Sequence, residues 1–212
     1  MPRELRGAFH RELDHIDEEV LQLFALVSEG VAGATEALLA GDRESAKALV
    51  ARDRMIDTLF VDIEDLVQRQ FALQSPMAID LRFLLSVLRI VPELERSGDL
   101  AEHIAQRAVR GLTAELTPRI RGLVERMGKV GVEMWQAAAQ IYAERDATGE
   151  AALRELDDEL DDLHVSLIAE LASGRISVPV VIELSMVGRF YERLGDHAVN
   201  IAARVRYLAT GT

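Results

Sequence analysis

Apolar residues recur at steps of three and four almost from the start of this 212-residue chain. Phe9, Leu13, Ile16, Val20, Leu23, Val27, Val31, Ala34 and Leu38 form one unbroken series. That is the period of a helix with a single apolar stripe. The spacing predicts a helix over 4–39, roughly 50 Å long at 1.5 Å per residue. Gly41-Asp42 then supplies a stop and an N-cap for the next helix. Further breaks fall at "QSP" (74–76), "LTAELTP" (112–118), "DATGE" (146–150) and "ASGRISVP" (172–179). Pro76, Pro118 and Pro179 lie where helices are expected to begin, a place that tolerates proline. Six helices follow: 4–39, 43–73, 77–110, 118–145, 149–173 and 179–208. No segment alternates with period two between hairpin turns, so no strands are expected.

One block of the third helix is written again in the sixth. "ERSGDLAEHIA" (95–105) and "ERLGDHAVNIA" (192–202) agree at seven of eleven positions without a gap. The repeat divides the chain into two three-helix units, 1–112 and 113–212, with short connections that favour up-down-up bundles. The fold class expected is all-α, two tandem three-helix bundles; one continuous six-helix bundle is the alternative.

Carboxylates interrupt the apolar stripes at matching places. Asp53 falls between Leu49 and Ile56 of the second helix, with Asp57 one turn on. In the fifth, Asp157 and Asp161 fall in or beside the face of Leu153, Leu160, Leu167 and Leu171. Leu81, Leu84, Leu88 and Val91 lead to Glu95 and Asp99, and Ile182 and Met186 lead to Glu192 and Asp196. Each unit thus carries two acid-x-x-x-acid pairs, and that spacing sets both carboxylates of a pair on one helix face. Like charges one turn apart repel, and burial adds several kcal/mol per ion, so a cation must compensate. Arg96 and Arg193 each follow a glutamate by one residue and project about 100° away. The other cation is a metal: four converging carboxylates without thiolates suit Mg, Mn or Fe, with Zn less favoured. Acidic pairs also arise by chance on solvated faces, so a surface reading stands beside this one. Gly98 and Gly195, at equivalent mid-helix positions, cost about 1 kcal/mol each against alanine and call for close helix approach or room beside an ion. His103, Asn200 and His197 are weaker ligand candidates. Pro92 removes a backbone bond just before the first block.

Composition narrows the function classes. Hydrophobic residues make up 49% and charged residues 28%, with aromatics at 5%, a balance suited to packed helices. A net charge of −12 argues against binding nucleic acid or anionic lipid. The absence of cysteine excludes disulfides, thiolate zinc sites and cysteine nucleophiles. The first residues lack an apolar signal region, and no run of 18 uncharged apolar residues occurs, so a cytoplasmic protein is expected.

At these motifs the chain resembles the PhoU family of phosphate-signalling accessory proteins. "ELERSGDLAEHIA" and "YERLGDHAVNIA" are similar to the family's twice-occurring ER-x-GD-x-x-x-x-I motif. "ARDRMIDTL" (51–59) and "LRELDDELDDL" (153–163) resemble its paired-acid stretches, and "PMAIDLR" (76–82) its third-helix opening. The resemblance implies two three-helix bundles with metal clusters, often iron and sometimes zinc. By position it points to Asp53, Asp57, Glu95 and Asp99 in one unit, and Asp157, Asp161, Glu192 and Asp196 in the other. It further implies a non-enzymatic negative regulator of phosphate uptake and the phosphate regulon. Such a protein works at the membrane through two partners, the phosphate transporter ATPase and a sensor histidine kinase. A homodimer is the expected assembly. Departures from the family pattern are Pro92, in a helix that usually runs unbroken, and the unlike pair His103 and Asn200.

Two other classes compete. A ferritin-like di-metal enzyme needs Glu-x-x-His on two core helices, but Glu95 and Glu192 are followed three residues on by Gly98 and Gly195. "ELDH" (12–15) matches that spacing once, on the wrong helix. A passive helical interaction module, with no ligand, is the third.

Overall fold

A computed structural model describes residues 2–174 and 176–211. Among these residues are six α-helices and no strand: α1 (Pro2–Ala40), α2 (Arg43–Gln74), α3 (Ala78–Val109), α4 (Pro118–Glu144), α5 (Glu150–Leu171) and α6 (Val178–Thr210). Arg175, within the last expected break, lies outside the described residues. The helix ends follow local chemistry. Gly41 turns the chain at φ 70°, and the Asp42 carboxylate accepts from the backbone N–H of Glu44 and Ser45, both at 3.1 Å. The Thr117 hydroxyl caps α4 by accepting from Ile120 N–H, and Pro118 occupies its first turn. Pro76 differs from expectation. It precedes α3 instead of opening it, because left-handed Ser75 ends α2 and extended Met77 becomes the N-cap. A short 3-10 helix, Leu112–Glu115, occupies part of a segment read as loop.

Within each triplet neighbouring helices pack on one another, and the two triplets share one core. α1 packs on α3 and α4, and α6 packs on α3 and α4, so these four helices close a ring. α2 lies outside it against α1 and α3, and α5 lies outside against α4 and α6. Val27 and Val31, in the middle of the α1 stripe, are fully buried core residues. The section of α1 from Arg6 to Ala40 is long and apolar enough to cross a membrane, but Ile16, Val20, Leu23 and Leu38 of its stripe are buried against other helices. Ile182 and Met186 correct the sequence reading: both face solvent, at 57% and 40% exposure. The buried side of α6 runs instead through Leu184, Val187, Phe190, Tyr191 and Leu194.

Two buried polar links cross the ring. The Thr35 hydroxyl of α1 donates to the Val31 carbonyl at 2.7 Å, and so accepts from the Tyr191 hydroxyl of α6 at 2.6 Å. Ser97 of α3 donates to the Glu93 carbonyl at 2.7 Å, and His197 of α6 bonds to the same hydroxyl through Nδ1 at 2.9 Å. Tyr191→Phe removes one buried hydrogen bond while Thr35 keeps its carbonyl partner. It is expected to destabilise the fold by about 1 kcal/mol, read as a lower urea midpoint with an unchanged m-value.

Candidate metal centres

The repeated glycines let outer and inner helices approach where the acids are. A methyl group on Gly98 would lie 2.7 Å from Ile56 Cδ1 and 3.4 Å from Asp53 Oδ1, so α2 presses Asp53 against bare α3 backbone. In the second half, a methyl on Gly195 would collide with Asp157 Oδ1 and stand 3.1 Å from Leu160 Cδ2. The mid-helix glycines therefore have a steric reason: each leaves a cradle for one aspartate.

Around Asp53 the expected partners converge. One carboxylate oxygen from each of Asp53, Asp57 and Asp99 lies within 4.8 Å of the others. Glu95, one turn before Asp99, belongs to the same group through its charge. The cluster sits at a rim and not in the core: Asp53, Glu95 and Asp99 are half-buried, and Asp57 is exposed. Burial foremost, then the charges of Glu102, Asp57, Asp99 and Glu95, raise the Asp53 carboxyl from an ordinary 3.8 to about 7. Glu95 is raised by burial and then by Asp99 and Asp57, with Arg96 opposing. Asp99 is raised mainly by burial, against the pull of His103.

The second cluster repeats the theme with differences. Burial, then Asp161, Asp196, Asp158 and Glu192, raise Asp157 to about 6. Glu192 is raised by burial, with the Arg189 guanidinium opposing. Arg189 holds Glu192 Oε1 in an ion pair, while Oε2 is shut off from solvent without a hydrogen-bond partner. Asp161 and Asp196 are exposed. Among the described residues, only the first cluster brings three ligand oxygens within 4.8 Å of one another.

All eight motif carboxylates thus fall into two groups, four between α2 and α3 and four between α5 and α6. The donors are hard oxygens with few compensating cations, each glycine cradle seats one central aspartate, and Glu192 has an orphaned oxygen. This set fits a hard divalent or trivalent cation.

The weaker candidates have other surroundings. His103 stacks on Phe190 with ring centres 5.4 Å apart, and Asn200 is exposed. His197 is buried on Ser97, and burial pushes its imidazole below the ordinary range, with Glu93 opposing. Arg96 pairs with Glu93 at 2.5 Å, consistent with its expected turn away from Glu95. Sequence reasoning missed Glu102 and Arg189. Glu102 sits three residues past Asp99, hence on the same face, and Arg189 three residues before Glu192.

The chain is similar to known proteins over nearly its whole length. The PhoU domain family matches residues 20–108 and again 124–205. The "Phosphate-specific transport system accessory protein PhoU homolog 2" of Mycobacterium tuberculosis is 34% identical over 210 residues, covering 98% of this chain and 99% of that protein. The PhoU homolog 1 of Mycobacterium leprae is 33% identical over 211 residues, covering 98% and 95%. Among solved structures, PhoU from Pseudomonas aeruginosa superposes with a TM-score of 0.89 at 31% identity, covering 96% of this chain and all of that one. The phosphate transport system regulatory protein PhoU from Streptococcus pneumoniae gives 0.88 at 27% identity, covering 96% and 98%.

The raised carboxyls set a pH dependence for the metal-free protein. Asp53 has a folded value of about 7 against 3.8 ordinarily, so it favours folding fully below the lower value. That contribution disappears as pH rises through the upper one. Metal-free protein is expected to melt at lower temperature at pH 8 than at pH 5. Asp53→Asn is expected to recover roughly 1–2 kcal/mol at pH 8, solvent screening the half-exposed site. Thermal melts at both pH values check this; equal loss in the variant and the parent would refute it.

Proposed function

The chain belongs to the PhoU family, and on that premise we propose that it is a negative regulator of phosphate uptake and phosphate-starvation signalling. It acts as a metal-binding adaptor between the phosphate transporter ATPase and a sensor histidine kinase, with no chemistry of its own. The observation that carries the reading is the near-full-length kinship to phosphate-specific transport system accessory proteins, joined to a four-acid motif written twice. The names of those relatives tie them to the transport system, and the kinase is part of the proposal. So are the two repeats at 1–112 and 113–212, a homodimeric assembly, and a cytoplasmic location with membrane association only through partners.

The metal part rests on the carboxylate clusters. Iron is the first expectation, with Zn, Mn or Mg as alternatives. In each cluster the four motif acids would hold the ion, which would supply positive charge that no side chain between those helices fully provides. Held there, it would tie an outer helix to an inner one and fix the surface offered to partners. Switching a partner from 1:99 to 99:1 takes about 5.5 kcal/mol of differential binding, which calls for an extended interface such as long helices provide.

Deleting the gene is expected to leave phosphate-starvation genes on in phosphate-rich medium, with wild-type chain restoring repression. A variant with the eight acids changed to Asn or Gln is expected not to restore it. A phosphate-regulated phosphatase assay reads all three strains. Normal repression in the deletion strain would refute the regulator, and full rescue by the eight-acid variant would refute the role of metal.

A further inference from the structure

The two carboxylate clusters are copies in sequence but not in surroundings. Glu95 and Glu192 correspond, and three residues before each stand Pro92 and Arg189. A proline carries no charge, so Glu95 has no guanidinium one turn earlier. Arg96 is engaged with Glu93. Glu192, by contrast, is already paired with Arg189 through Oε1.

The second difference lies on the other side of the motif. Glu102 follows Asp99 by three residues, and its counterpart after Asp196 is Val199. Glu102 and Asp53 line a cavity of about 30 Å³ between α1, α2 and α3, walled by Leu26, Leu49, Ile56 and Ala101, and Arg52, which also lines it, is engaged by Glu29 at 3.0 Å. That is room for one water or one metal ion. The α2–α3 cluster therefore has one more acid and no arginine before its glutamate, and three of its oxygens are already gathered. The α5–α6 cluster has a cation within it that must give up a ligand and that repels an incoming ion.

The geometry points to two cation sites that fill in order. A divalent cation binds first and more tightly between α2 and α3, with Glu102 as a carboxylate ligand beyond the repeated four, and enters the α5–α6 cluster as Arg189 releases Glu192. This rests on the reading that the repeated acids hold metal.

The test is titration of chelator-stripped full-length protein with Mn²⁺, free ion being read by electron paramagnetic resonance and folding by circular dichroism. Two classes of site are expected, with dissociation constants at least about tenfold apart. The tighter class disappears in Asp53→Asn/Asp57→Asn, and the weaker in Asp157→Asn/Asp161→Asn. Glu102→Gln weakens the tighter class about tenfold and spares the other, whereas Arg189→Gln tightens the weaker class about tenfold. Equal affinities, or a tighter α5–α6 site, overturn the order while leaving metal binding intact. Unchanged constants in both Glu102→Gln and Arg189→Gln overturn the roles of these residues. No Mn²⁺ bound by either cluster overturns the order and the metal reading together.

Discussion

Mutual repulsion of carboxylates held between packed helices is the constraint on which the rest of this structure depends. Four acids gather where α2 lies on α3, three of them with oxygens within 4.8 Å of one another, and four more line the rim where α5 lies on α6. They are held together by apolar packing on either side, by Ile56 and Ile63 in one half and Leu153, Leu160 and Leu167 in the other. The helices come close because Gly98 and Gly195 have no side chain to keep them apart. Hydrophobic packing thus holds these charges in place, and burial foremost, then the neighbouring carboxylates, raises the carboxyls of Asp53 and Asp157.

The ring of α1, α3, α6 and α4 provides the stiffness this needs. Its interior holds the largest buried side chains, including Trp135, Tyr142, Tyr191 and Phe24, and the Thr35–Tyr191 bond satisfies hydroxyls inside it. Each outer helix is fastened to two ring helices only. The acid clusters therefore lie between the closed ring and a helix with fewer packed neighbours.

Much of this was legible in the sequence. The three-and-four spacing from Phe9 to Leu38 gave α1, because a stripe touching several neighbours must be apolar along its whole length. The glycines in the repeated blocks marked where outer and inner helices come close, since a costly residue written twice in register needs a physical cause. Ile182 and Met186 misled because periodicity finds an apolar row without saying which row a helix turns inward. Helix α6 touches three neighbours, and its buried side was fixed by Phe190, Tyr191 and Leu194 instead. The depth of the acids was equally hidden. Asp57, Asp161 and Asp196 share a helix face with half-buried partners yet reach solvent, because i,i+4 spacing sets direction and not the height of the neighbouring helix. Glu102 and Arg189 were overlooked for a related reason. The repeat draws attention to what agrees, whereas these two residues are where the copies part.

The seam between α3 and α6 carries a consequence of its own. At its crossing the first half contributes Ser97 and the second His197, while their counterparts, Leu194 and Leu100, are apolar. Polar therefore meets polar along one diagonal only. A protein assembled from two identical first halves would set serine against leucine there, and one made from two second halves would leave a buried imidazole facing hydrocarbon. The halves have become lock and key to each other, and neither substitutes for its sibling.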